Sequence, residues 1–128
     1  MERKNNLREF LDYLHEQVRN HSIYVWGAQG QTGPTITEAW IRSRETNETN
    51  FQRALAFWRK QVEAGYGDVL RAFDCSGLGM YWLQNVKSFL AYDHNANNLY
   101  NKCTKITKDQ LRVGDFVFKL DKNGKATH

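Results

Sequence analysis

The chain has 128 residues and a formal net charge of +4, with 13% aromatic and 25% charged residues. One domain of this length can bury a genuine core, and that aromatic content excludes a disordered chain. The basic residues (Lys4, Arg8, Arg42, Arg59, Lys87, Lys105, Lys125) are scattered, with no basic helix and no aromatic–basic ribbon; this argues against nucleic acid as a partner and suits ordinary solubility or a polyanionic surface.

No apolar run approaches membrane-spanning length, so no membrane span is expected. The opening "MERKNNLREF" has charges but no apolar region behind them, and no signal peptide is read there. Localisation is therefore unknown from the sequence. Two cysteines, Cys75 and Cys103, do not make a disulfide framework, and whether Cys103 ever pairs stays open.

In chain order, Leu7, Phe10, Leu11, Leu14 and Val18 recur on one face of a helix covering residues 3–20. "SIYVW" reads as a short β-rich run, stopped by Gly27 and the loop "GAQGQTGP". Thr35 and Thr37 precede an acidic residue and a helical pattern, so a helix begins there. The next helix covers "NFQRALAFWRKQVEAG", with Phe51, Leu55, Trp58 and Val62 on one side and Gly65 closing it. A helix opens at Asp74 or Cys75, carrying Leu78, Tyr81, Trp82 and Leu83. "AYDHNANNLYNKC" reads as loop with a short helical turn, "TKDQLRVGD" as a turn, and "FVFKL" alternates as a strand should. "DKNGK" is a tight hairpin turn on Asn123–Gly124, and it lacks the ligand set of a calcium loop.

The stretch "RAFDCSGLGMYWLQ" places Cys75 between an aspartate and a serine at a helix start. Amides left unpaired at a helix N-terminus stabilise a thiolate, so the thiol pKa should fall below about 8.5, and the same amides can hold an oxyanion. Asp74 is the candidate N-cap, and Ser76 and Gly77 keep the first turn open to substrate. The local sequence supports a buried structural cysteine equally well. A thiolate needs a base, and the candidates are His15, His21, His94 and His128; periodicity selects none of them. No metal is expected, because the Cys and His spacings match no zinc pattern.

Three segments in order, "IYVWGAQG", "FDCSGLGMYW" and "LRVGDFVFKLDKNGKATH", resemble the signature of the NlpC/P60 family of cell-wall cysteine peptidases, within the papain-like superfamily. The resemblance implies an α+β fold with helices packed on a small antiparallel sheet. It implies one NlpC/P60-like domain over residues 1–128, with a helical insertion at about residues 31–71. It implies Cys75 as nucleophile, His128 as the base fifty-three positions later, and Tyr24 near the oxyanion. Asp74 and Ser76 resemble residues lining the acyl-side subsite, a role N-capping would explain equally well, while Trp26 and Gly27 shape the cleft floor and Gly114 and Asp115 turn into the sheet. No cofactor is implied.

The departures from the family pattern are Ala28, where a second glycine is usual; the helical insertion between Gly30 and Asp74, where many members have a short loop; and the segment after His128, where the family carries closing strands and a third polar residue that orients the imidazole. No position here can take that orienting role. The expectation is a domain incomplete at its C-terminus, either truncated or completed by a second chain or a missing segment, and turning over feebly or not at all.

The resemblance implies a peptidoglycan endopeptidase that cuts the stem peptide, typically between D-γ-glutamate and a diamino acid, through a thioacyl-enzyme at the bacterial cell wall. With no signal peptide, a phage-type lysin or a piece of a larger modular enzyme would fit. Two alternatives stand beside it: an amidase or acyltransferase using the same Cys–His pair, and a non-catalytic wall-binding or interaction module.

Overall fold

The computed structural model describes residues 2–128. Helix α1 spans Glu2–Arg19, strand β1 Ile23–Tyr24 and strand β2 Gln29–Thr32. Helices α2 (Glu38–Arg44) and α3 (Glu48–Glu63) follow, then strand β3 (Arg71–Phe73). Helix α4 (Gly77–Met80) runs directly into a π-helical stretch, Tyr81–Val86, and α5 covers Ala96–Lys102. The architecture is α+β, as the sequence implies. The sheet itself is mixed and not wholly antiparallel: β3 lies in the middle, parallel to β1 and antiparallel to β2.

Because successive strand residues face opposite sides, β3 divides the core in two. Ala72, fully buried, joins Ile23, Val25, Ile41, Phe51 and Leu55 on the face covered by α2 and α3. Its neighbour Phe73 joins Phe10, Tyr13 and Trp82 on the face covered by α1 and the π-helical stretch. The Tyr13 hydroxyl donates to the Leu78 carbonyl at 2.6 Å, which ties α1 to α4.

Local signals set several boundaries. Thr37 caps α2 by accepting from the Trp40 amide, and Asn47 caps α3 by accepting from the Asn50 amide. Asn95 does the same for α5, accepting from Asn98 N–H, so the asparagine-rich loop contains two turns of helix and more than a single helical turn. Phe51 and Leu55 are buried as the periodicity predicts, but Val62 is exposed. On α1 the buried line runs through Phe10, Tyr13 and Gln17, and Val18 is 75% exposed. Leu14 and Val18 form part of a cleft wall, so the apolar face of α1 serves two surfaces.

Two strands, β2 and β3, lie where the sequence shows no strand pattern. Gln29–Thr32 has no apolar alternation, and its pairing with β3 carries a register shift between Gln29 and Gln31. Long-range pairing, not local propensity, makes it a strand. "FVFKL" shows the opposite departure. Its alternation is present in the packing: Phe116 meets Phe10 edge-on at 5.8 Å, Phe118 meets Tyr100 at 5.3 Å, and Val117 between them is exposed. It pairs in no sheet, however, beyond the isolated bridge Leu120–Ala126.

That bridge belongs to a hairpin. The Lys119 amide donates to His128 O at 3.0 Å, Thr127 N–H to Lys119 O at 2.9 Å, and Asp121 N–H to Lys125 O at 2.9 Å. The turn is at Asn123–Gly124, where Gly124 has φ of +80°, a conformation costly for any residue with a Cβ. Ala126 is buried, and its amide donates to Asn97 Oδ1 at 3.0 Å, which docks the hairpin on α5. His128 is thus placed on the return arm of a hairpin, opposite Lys119.

Candidate active site

The turn from β3 into α4 carries the sulfur. Asp74 donates its amide to the Ala28 carbonyl at 2.8 Å, while its Oδ1 accepts from the Gly77 amide at 2.6 Å and from the Ser76 hydroxyl at 3.4 Å. Asp74 thus caps the helix by its side chain, and Cys75 and Ser76 form the turn before α4. The helix spans Gly77–Met80, and the Leu78 amide already donates to the Asp74 carbonyl at 3.3 Å, so the helical turn opens at Asp74 as expected. Ala28 is fully buried, and its carbonyl is held close under that turn.

Gly77 is required by close approach. A Cβ there would overlap the Ala28 carbonyl and come within 2.7 Å of Asp74 Oδ1. Gly77→Ala is expected to displace the cap and destabilise the chain by about 1–3 kcal/mol, the usual range for overpacking a tight site. A urea denaturation midpoint unchanged from the unsubstituted chain would contradict this.

Cys75, Asp74, Tyr24 and His128 line one cavity of about 540 Å³, together with Leu14 and Val18 of α1. A smaller cavity of about 80 Å³ lies against Ser76, Leu99 and Phe116, and Cys75 and His128 line that one as well. The structure therefore brings five of the six sequence-predicted site residues to one region. Trp26, the sixth, is 64% exposed and lines a neighbouring cavity that shares Tyr24 with the first. The wall contributed by Leu14, Gln17 and Val18 was not legible as a site; its only trace in the sequence is that Val18 extends the apolar stripe of α1 to the end of the helix.

The other histidines lie elsewhere. His15 is exposed on α1. His21 stacks on Tyr66 at 3.8 Å, with Nδ1 3.0 Å from Gln61 Oε1. His94 is buried, stacked on Tyr92, with Nδ1 2.8 Å from the Tyr92 carbonyl.

The thiol does not behave as its place near a helix start suggests. Burial pushes the Cys75 pKa up, and the negative charge of Asp74 adds to the rise; the amides of Ser76 and Cys75 and the Ser76 hydroxyl pull it down by less. The expectation of a lowered pKa is therefore overturned. The physical reason is local: the sulfur is partly withdrawn from water, and the residue before it is a carboxylate. Tyr24 is also raised, first by burial and then by Cys75, Asp74 and Glu45, so its hydroxyl stays protonated and able to donate.

The NlpC/P60 family model matches residues 21–128. A curated relative, the peptidoglycan endopeptidase RipA of Mycolicibacterium smegmatis, is 39% identical over 57 residues, which is 44% of this chain and 11% of that protein. The chain thus corresponds to a small part of that relative's length. No solved structure matches it.

Proposed function

The chain belongs to the NlpC/P60 family, and from that premise we propose that it is a peptidoglycan hydrolase acting on an amide bond of the stem peptide, between D-γ-glutamate and a diamino acid, at the bacterial cell wall. The observation that carries this reading is the convergence of Cys75, His128, Tyr24 and Asp74 on one cavity, from three separated parts of the chain.

In this reading burial and Asp74 favour the neutral thiol of Cys75, so the sulfur becomes nucleophilic only as its proton leaves. His128 takes the proton as the sulfur bonds to the carbonyl carbon. The Tyr24 hydroxyl and the amides of the Cys75–Ser76 turn face the developing oxyanion. The C–N bond breaks as the imidazolium returns its proton to the leaving amine, and water then hydrolyses the thioester with the same imidazole as base. Asp74 and Ser76 border the acyl side, and Trp26 borders the continuation of the cleft beyond Tyr24.

The test is the product. Purified peptidoglycan incubated with the chain should release fragments with a new diamino-acid amino terminus and a free glutamate carboxyl, identified by mass spectrometry. Intact stem peptides freed from glycan would point to an amidase and overturn the assigned bond. Sedimentation with insoluble wall and no soluble product would select a non-catalytic wall-binding module instead.

A further inference from the structure

His128 reaches the Cys75 cleft from the return arm of a hairpin, and most bonds in that hairpin only join its two arms. Lys119 N–H to His128 O, Thr127 N–H to Lys119 O and Asp121 N–H to Lys125 O are all of this kind. The Asp121 carboxylate closes the turn from within, Oδ1 accepting from the Asn123 amide at 2.9 Å and the Lys125 amide at 3.0 Å. A two-stranded hairpin is marginal in water, so its place on the protein must be set by something outside it.

Among the described residues, one hydrogen bond leads from residues 119–128 to another element: the Ala126 amide donates to Asn97 Oδ1 of α5 at 3.0 Å. Ala126 is only 3% exposed, which makes its amide costly to leave without an acceptor. Side chains alternate along an extended arm, so Ala126 and His128 turn to the same side. The first is buried and the second lines the cleft with Cys75. The other anchors are apolar. Phe118 meets Tyr100 of α5, and buried Leu99 shares the small cavity beside Cys75 with Phe116, Phe118 and His128. Apolar burial is non-directional and fixes how deep the hairpin sits, whereas a hydrogen bond has a preferred length and angle and fixes its register. Asn97 is itself set firmly: it is the second residue of α5, whose cap Asn95 accepts from the Asn98 amide.

We propose that Asn97 is a positioning residue for His128: by holding the Ala126 amide, it fixes the arm so that the imidazole stands at the Cys75 sulfur. The inference rests on the reading of Cys75 and His128 as nucleophile and base. Asn97 acts through the backbone of the arm, two residues before the imidazole.

Asn97→Ala and Asn97→Asp test it, because the aspartate keeps an Oδ acceptor and the alanine does not. In Asn97→Ala the Ala126 amide should exchange with deuterium about tenfold faster, the value of one hydrogen bond, and in Asn97→Asp at close to the unsubstituted rate. Iodoacetamide should modify Cys75 at pH 7 about tenfold more slowly in Asn97→Ala, down to the rate of His128→Ala, because the thiol has lost its proton acceptor. Peptidoglycan cleavage by Asn97→Ala should show kcat lowered about tenfold at unchanged KM, with an alkaline limb as steep as that of His128→Ala. Asn97→Asp should restore the rate and the profile. A merely structural contact would lower the Tm and leave the labelling and the pH profile alone, and that result would overturn the proposal. So would an Ala126 amide that exchanges at one rate in all three chains. If Asn97→Ala does not fold, Ala126→Pro removes the donor with α5 intact and should slow the labelling equally; labelling at the unsubstituted rate would then overturn it. Cleavage absent from the unsubstituted chain sinks the hydrolase reading and leaves exchange and labelling to decide the role of Asn97. Cleavage unaltered in Asn97→Ala sinks that role alone.

Discussion

Replacing Cys75 with alanine is expected to lower the rate of turbidity loss of purified cell walls by at least about 10³-fold relative to the unsubstituted chain, while wall binding in a sedimentation assay stays unchanged. The sulfur is the atom that bonds to the carbonyl; the serines around it are Ser22 in the larger cavity, whose hydroxyl donates to Gln17 Oε1 at 2.8 Å, and Ser76 in the smaller. The Ser76 hydroxyl is directed at Asp74 Oδ1 and is poorly placed to substitute for it. Wall lysis that survives in Cys75→Ala would remove the nucleophile from this account, whatever the family.

The second large effect concerns protons. Because the Cys75 pKa is raised, the thiol is neutral at pH 7, and His128 must accept its proton during attack. His128→Ala should therefore cost about 10²–10⁴-fold at pH 7, the usual worth of a positioned general base. The residual rate should then climb about tenfold per pH unit through the ordinary thiol range and level off only above the raised pKa, because each unit multiplies the thiolate by ten. The unsubstituted chain should show a much flatter alkaline limb. The sign of the Asp74 effect can be tested with the same sulfur. Asp74→Asn keeps an acceptor for the Gly77 amide but removes the charge that disfavours the thiolate, so iodoacetamide should modify Cys75 several-fold faster at pH 7. Slower or equal modification would show that the carboxylate does not set the thiol's acidity. Cys103, raised by burial alone, is the internal control.

Much of the frame was readable residue by residue. The caps Thr37 and Asn47, the periodicity of α1 and α3, and the Asn123–Gly124 turn are short-range features, settled within a few positions of themselves. β2 and β3 were not readable, because a glycine- and glutamine-rich segment and a three-residue Arg-Ala-Phe run become strands only through the partners they meet. "FVFKL" misleads for the same reason in reverse: alternation states which side chains turn inward, as Phe116 and Phe118 do, but not whether another strand lies alongside.

The site divides along the same line. Residue chemistry marked Cys75 and Asp74 and left four histidines open, and the resemblance of three ordered motifs to the NlpC/P60 signature singled out His128, Tyr24, Ser76 and Trp26. Tertiary structure alone decided that α1 walls the cleft, that Trp26 faces a different cavity from the sulfur, and that Asn97 of α5 holds the hairpin ahead of His128. It also reversed the expected acidity of Cys75. A helix start in the sequence signals a stabilised anion, but a thiol's pKa is set by everything within several ångströms, and here burial and the neighbouring carboxylate outweigh the Ser76 and Cys75 amides and the Ser76 hydroxyl.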